Sequence, residues 1–466
     1  MRILQYLPGL PPVLTGGMIK YALDLVQGEI HAGHEVIMLV PGQFTFFHTE
    51  RTRIIEDKWN GGTCYKIINP LPVSGGKGIL DITKFVQRGN KKLYIRFLKK
   101  IKPDVIHIHS FMGLHIAFLE AAMCLKISVV YTTHDYYGLC PKAILLKGTR
   151  QCMVIDGTQC SGCIERTTSL KRLQWQQSRL YTILKNNKLI NYLEYSQNLI
   201  PIKIYIRSIL QMIRQKSQTE NSILKLKKDL DYKELQSYYQ EMFTYITRLH
   251  YNSIQSKEVF EQHLGNLPGE VISISNKNIV DRRKQRNFGK TLRIGFIGRE
   301  MYKGFELLKD VLQSIYAKGK FDFECHVYFN PKEKLPPYIV SHAPYKEEDM
   351  RQVYDGMDVL VLLSLWKETY GLVVLEALSL GVPVIISQNV GAKELLEMHS
   401  GIGIVVELNK ESVQNALEKV YENRRILEQM NLEICNCNLG LNYEEHVGSI
   451  IGMYNGLLVN NEKKNI

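Results

Sequence analysis

Short apolar runs alternate along the chain with longer stretches whose apolar residues recur every three or four positions. Arg2–Tyr6, Glu35–Leu39, Val105–His109 and Ser128–Thr132 read as strands, and Met18–His31 and Leu114–Leu125 as amphipathic helices between them. Such an alternation demands a parallel sheet covered by helices. It restarts at Leu292–Ile297 and runs on through Glu324–Phe329, Val359–Leu363 and Val382–Ile386, after a polar, basic stretch at Asp281–Lys290 that reads as a linker. The pattern predicts an α/β chain of two Rossmann-like domains, 1–280 and 291–440, joined by 281–290. A final segment, 441–466, is expected to pack a helix back on the first domain and end in a frayed tail.

Composition narrows the picture. With 466 residues, 45% hydrophobic and 23% charged, the chain is too long for one small module and too apolar for wholesale disorder. The start, MRILQYLPGL, lacks the layout of a secretory signal. The most apolar long stretch, Leu199–Ile213, is broken by Pro201, Lys203, Arg207 and Gln211, so no membrane span is expected. Nine scattered cysteines, an odd number, fit a reducing cytoplasm better than a disulfide framework.

The net charge of +13 is concentrated. From Arg166 to Lys228 thirteen Lys and Arg residues face two acids, Glu194 and Glu220, a net +11. Apolar residues at helical spacing and interleaved Trp175, Tyr181, Tyr192, Tyr195 and Tyr205 make this a helical insertion, about 166–250, in the first domain. Its two readings are a solvated face and a patch for an anionic membrane surface. No recognised nucleic-acid motif accompanies the charge, so no nucleic-acid partner is expected.

In parallel α/β domains ligands lie beyond the carboxyl ends of the strands. Past the first strand, Gly16-Gly17 opens a helix, where bare backbone N–H groups can meet a phosphate; an ordinary tight turn explains the pair equally well. His107 and His109 share one face of a strand, and His134, in HDYYG, sits just past the next strand end. His107 reads as structural and His134 as functional. In the second half, Arg299 and Lys303 stand where two cations could neutralise a diphosphate. Glu368 follows a strand and Glu376 lies one and a half turns inside the next helix, with the N–H groups of Gly371 and Leu372 between them. Finally, Cys140, Cys152, Cys160 and Cys163 could close a tetrahedral zinc site, with unligated thiols or disulfides as the alternatives.

The run ETYGLVVLEALSLGVPVI, with Glu368 and Glu376 separated by seven residues, resembles the signature of retaining GT-B glycosyltransferases of family 4, the glycosyl transferases group 1. The resemblance extends through Gly16-Gly17, DVIHIH, THDYYGLCP, the Arg299 to Lys303 segment and Gly391-Ala392-Lys393-Glu394. It implies two domains facing across a cleft. Glu376 would hold the ribose of a UDP- or GDP-type sugar donor, while Glu368 with Thr369, Tyr370, Gly371 and Leu372 would hold the sugar. Arg299, Lys303 and Gly16-Gly17 would hold the diphosphate, and His134 would stand at the anomeric centre. No catalytic metal is required in this scheme; the only metal anticipated is the structural zinc. The expected reaction is transfer to a hydroxyl of a glycan or lipid-linked acceptor in surface polysaccharide biosynthesis, by a protein peripheral on the inner face of the membrane. The alternatives are a GT-B sugar-nucleotide epimerase or hydrolase, and a non-catalytic nucleotide-sugar or membrane-binding scaffold. Two features depart from the family pattern: the Arg299 to Lys303 interval is one residue short, and Leu363 replaces a proline, a change expected to alter only loop stiffness.

Overall fold

The computed structural model describes residues 1–45, 51–60, 62–76, 78–153, 155, 157, 160–163, 169–178, 181–183, 232–298, 302–319, 322–331 and 333–463. Most of the basic segment, and Arg299, lie outside these residues.

Strands β1 (Arg2–Tyr6), β2 (Glu35–Pro41), β3 (Arg53–Trp59), β4 (Gly62–Ile68), β5 (Val105–Ile108), β6 (Ser128–Thr132), β9 (Arg248–Tyr251) and β10 (Gly269–Val271) build the first sheet, with β7 (Leu146–Lys147) and β8 (Arg150–Gln151) a small separate ribbon. The second sheet comprises β11 (Leu292–Phe296), β12 (Phe323–Val327), β13 (Ile339–Ser341), β14 (Val359–Leu362), β15 (Val384–Ser387) and β16 (Gly403–Val406). Around the first sheet lie α1 (Gly17–His31), α2 (Lys91–Ile101), α3 (Ile116–Cys124), α4 (Leu170–Gln176), α5 (Tyr232–Thr244) and α6 (Ile254–Leu264). The second carries α7 (Phe305–Ala317), α8 (Met350–Asp355), α9 (Leu372–Ser379), α10 (Lys393–Met398), α11 (Lys410–Glu422) and α12 (Arg425–Asn436), followed by α13 (Tyr443–Lys463).

The second sheet is ordered β13-β12-β11-β14-β15-β16 and wholly parallel, the doubly wound arrangement whose direction of winding reverses between β11 and β14. That reversal opens a crevice at the ends of those two strands, where the loops carrying Lys303 and Glu368 emerge. The first sheet, β10-β9-β6-β5-β1-β2-β4-β3, reverses between β1 and β5, beside the loops of Gly16-Gly17, His109 and His134. It departs from a purely parallel sheet at one edge, where β3 pairs antiparallel with β4. Exposed charges along RIIEDKW leave β3 without the apolar run that marks the inner strands, which is why it is silent in the sequence pattern.

The runs VIHI in β5 and VLVL in β14 are buried end to end, as expected for strands covered on both faces. One apolar cluster joins the two halves: Ile3, Tyr21, Leu25, Val105 and Val130 pack together with Ile274, Tyr370 and Leu375, and with Val447, Ile450, Met453, Tyr454 and Leu457 of α13. Helix α13 thus leaves the second sheet and packs on α1, where Tyr443 Oη donates to Asp24 O. Each large apolar side chain so buried contributes ~1.5–3 kcal/mol, so α13 is a strap of substantial strength.

Candidate functional site

The second-sheet wall of the cleft is made by two loops sewn together. Gly298 (φ 136°) and Gly304 (φ 79°) bracket the turn after β11. A Cβ on Gly304 would meet Leu363 O at 2.1 Å, and one on Gly298 would meet Lys303 Cγ at 2.8 Å, so only glycine lets this turn lie flat on its neighbour. Leu363 N donates to Lys303 O (3.2 Å) and Leu365 N to Tyr302 O (2.9 Å). A proline at 363 could not make the first of these bonds, so the departure noted at Leu363 pins the Lys303 turn rather than merely altering stiffness.

Lys303 Nζ forms an ion pair with Glu368 Oε1. The other carboxylate oxygen, Glu368 Oε2, is buried and has no hydrogen-bond partner among the described residues. An acceptor in that condition is costly unless something supplies a donor. The loop is rigid: Glu368 N donates to Asn389 O (2.8 Å), Gly391 N to Glu368 O (2.9 Å) and Ala392 N to Tyr370 O (2.7 Å). Gly371, at φ 101°, then caps α9, with Leu372 as the helix's first residue. Inside α9, Glu376 is buried and its Oε2 accepts from Tyr354 Oη (2.8 Å) and Tyr345 Oη (3.1 Å). Burial raises its carboxyl above the usual range, opposed by the tyrosine bonds and the nearby Lys20 ammonium.

The first-sheet wall is different in kind. Gly16 (φ 134°) caps α1, and a Cβ on either Gly16 or Gly17 would point into open space, so the helix N-terminus is unobstructed. One turn in, Lys20 bridges to Glu347 of the other domain (3.1 Å). His134 is half-buried, with its ring stacked on His109 (5.2 Å, 28°) and edge-on to Tyr21 (4.9 Å). Its Nε2 lies 2.9 Å from His109 Nδ1. Desolvation holds His107 and His134 well below the usual imidazole range, His109 down to about 3 and His250 down to about 4, so all four are neutral near pH 7.

The walls touch directly. Thr369 Oγ1 donates to His134 O (2.8 Å), Ser253 Oγ to Thr369 O (2.6 Å), and Tyr136 Oη to Lys367 O (2.7 Å). Gln255 Nε2 reaches both Glu368 O (2.9 Å) and Asn389 O (2.7 Å), while Glu394 Oε2 accepts from Ile254 N (2.9 Å) at the start of α6. His134, Lys303, Glu368 and Thr369–Leu372 are therefore gathered at one interdomain site, with Glu376 behind it and Gly16-Gly17 on the facing helix. Tyr345, Tyr354, Lys20, Ser253 and Gln255 escape sequence reasoning. For Gln5 and Glu29 a signal existed: a polar residue inside the apolar strand RILQY, and an acid on the buried face of α1.

The zinc expectation needs correction. Among the described residues no three His, Cys, Asp or Glu side chains are grouped so as to hold a metal ion, so Cys140, Cys152, Cys160 and Cys163 do not close the expected site. Cys140, Cys152 and Cys160 instead pack against the first-domain core, and burial raises the Cys140 thiol. Likewise among the described residues, no helix is long and apolar enough to cross a membrane.

Residues 15–152 match the family Glycosyltransferase Family 4, and residues 338–433 match Glycosyl transferases group 1. No curated protein matches the chain. Among solved structures it resembles the sucrose-phosphate synthase of Thermosynechococcus elongatus (14% identity, TM-score 0.59, covering 98% of this chain and 99% of that one). It also resembles Anabaena HepE, solved with UDP and glucose (13%, 0.53, 97% and 98%), and WaaG, a glycosyltransferase involved in lipopolysaccharide biosynthesis (12%, 0.52, 96% and 99%). Fold and matched segments together define a two-domain GT-B architecture. Within it, the first domain carries the segment that matches Glycosyltransferase Family 4 and the second the segment that matches Glycosyl transferases group 1.

Proposed function

We propose that the chain is a retaining hexosyltransferase that moves a sugar from a UDP- or GDP-type donor to a hydroxyl of a glycan or lipid-linked acceptor in surface polysaccharide biosynthesis. The observation that carries this reading is Glu368 Oε2, buried beside Lys303 with no partner among the described residues, in a loop whose next residue, Thr369, bonds the His134 backbone across the cleft. That oxygen would accept from a sugar hydroxyl, and Lys303, released from Glu368, would turn to the diphosphate. Arg299 and the α1 N-terminus at Gly16-Gly17 would share the diphosphate charge, while Glu376 would hold ribose. As the C1–phosphate bond breaks, charge grows on the leaving oxygen, and these donors stabilise it without a metal. The acceptor oxygen would attack C1 from the face the phosphate leaves, and its proton would pass to the departing phosphate. The UDP and glucose in HepE and the lipopolysaccharide role of WaaG favour this donor type and this kind of acceptor.

The test is to supply purified protein with a panel of UDP- and GDP-sugars and a lipid extract. We expect nucleotide release matched by sugar in the lipid fraction, both lost in Glu368→Ala. Release without transfer would favour a hydrolase, and neither with any donor would overturn the reading. For membrane docking through the basic segment, binding to anionic vesicles should fall with salt and on replacing Lys171, Arg172, Arg179, Lys185 and Lys188 with Gln. Undiminished binding by that variant would refute docking through this segment.

A further inference from the structure

Behind His134 runs a buried chain of side chains that the reaction scheme does not use. His109 Nε2 is 2.9 Å from Gln5 Oε1, and Gln5 Nε2 is 2.7 and 2.9 Å from the two oxygens of Glu29. Glu29 Oε1 is 2.9 Å from Tyr454 Oη on α13, which is 2.6 Å from His107 Nδ1. His107 Nε2 is 2.6 Å from Thr132 Oγ1, Thr132 Oγ1 is 2.9 Å from His250 Nδ1, and His250 Nε2 is 2.7 Å from the backbone oxygen of Ile272. Gln5, Glu29, His107, Thr132, His250 and Tyr454 are fully buried, so every one of these bonds matters energetically.

The far end fixes the sense of the chain. A carbonyl oxygen only accepts, so His250 carries its proton on Nε2 and, being neutral, accepts at Nδ1 from the Thr132 hydroxyl. Thr132 Oγ1 then accepts from His107 Nε2–H, and His107 Nδ1 accepts from Tyr454. With the tyrosine proton committed to His107, Tyr454 Oη accepts, from Gln5 Nε2 (3.4 Å) and from the Glu29 carboxyl where that is protonated. Burial suits that carboxyl to donate, pushing its pKa up to about 8. Gln5 therefore turns its NH₂ to Glu29 and its carbonyl to His109, which must donate from Nε2 and accept at Nδ1. His134 Nε2 is left as the donor to His109.

We propose that Gln5, His109 and Glu29 are positioning residues that hold His134 as its Nε2–H tautomer, so that its remaining nitrogen, Nδ1, meets the substrate as a hydrogen-bond acceptor. Among the described residues Nδ1 has no partner and is not sealed from solvent. The consequence for specificity rests on the function proposed above: the sugar must present a hydroxyl, not merely a hydrogen-bond acceptor, at His134.

Long-range ¹⁵N–¹H NMR correlation of the histidine rings reads the tautomers directly and needs no substrate. The parent should show His134 and His109 protonated at Nε2. In Gln5→Leu, His109 loses its acceptor, and both rings should switch to Nδ1–H, with turnover falling at least tenfold and nucleoside diphosphate affinity unchanged within twofold. Glu29→Gln, whose amide can donate to Tyr454 and accept from Gln5, should keep the parental tautomers and turnover; it also keeps the proposal testable if Gln5→Leu does not fold. His134 protonated at Nδ1 in the parent, an unswitched His134 in folded Gln5→Leu, or a switch in Glu29→Gln would overturn the proposal. Correct tautomers in a protein that transfers no sugar would instead count against the function alone.

Discussion

The two walls of the cleft hold their key groups in opposite electrostatic states. The second-sheet wall keeps charges: Lys303 pairs with Glu368, whose other carboxylate oxygen has no donor among the described residues. On the first-sheet wall His107, His109, His134 and His250 are all neutral, linked by bonds of 2.6 to 2.9 Å. Ion pairs adjust as a diphosphate enters, because Coulombic attraction is long-ranged and non-directional. A neutral chain instead fixes directions, since each group is donor at one end and acceptor at the other. On the function proposed above, the charged wall would adjust to the diphosphate through Lys303 and the neutral wall would fix the direction of one bond to a sugar held between them.

The sharpest way to break the comparison is His134→Ala. It should cut turnover by ~10²–10³-fold, the scale of losing one group preorganised at a reacting centre, and leave nucleoside diphosphate affinity intact by calorimetry. Lys303→Ala should instead weaken diphosphate binding by ~1–3 kcal/mol, and Glu376→Ala should lose a similar amount. If His134→Ala weakened nucleotide binding as much as Lys303→Ala does, the two walls would not be separate.

The neutral wall also sets the pH response. The folded-state pKa of the buried histidines lies below the ordinary 6.5, so the folded protein binds fewer protons than the unfolded chain as pH falls from about 6.5, and their contribution to stability is lost toward about pH 3–4. Glu29 acts oppositely. Its pKa is raised from 4.5 to about 8, so its contribution declines as pH rises across that window. Stability should peak near pH 6.5, falling steeply on the acid side, where several histidines act, and gently on the alkaline side. Glu29→Gln should flatten the alkaline fall in a urea titration series. The smallest effect is expected for Tyr354→Phe, which removes one of two bonds to Glu376 and should cost ~0.5–1.5 kcal/mol of nucleotide affinity or stability.

Much of this was legible in the sequence. β1 and β6 fall on the runs Arg2–Tyr6 and Ser128–Thr132 because inner parallel strands, covered on both faces, are predominantly apolar. Lys303, Glu368 and His134 stand out in the sequence as candidates because each follows a strand end, and Glu376 because it recurs at a fixed spacing from Glu368 inside the next helix. The neutral wall could not, because it joins Gln5 to Glu29, His107 to Tyr454 and Thr132 to His250, pairs separated by 24, 347 and 118 residues. The cysteines differ for a complementary reason: of four thiols close in sequence, Cys140, Cys152 and Cys160 pack as small apolar residues against the first-domain core.

The most direct test of the central claim, that the sugar is held between the two walls, is to compare Glu368→Gln with the parent for donor turnover and, in the same preparation, for nucleoside diphosphate affinity. The account predicts that turnover drops at least tenfold while diphosphate affinity holds or rises, since Lys303 is freed from its partner. Parental turnover in Glu368→Gln, or a diphosphate affinity that collapses with it, would contradict the account.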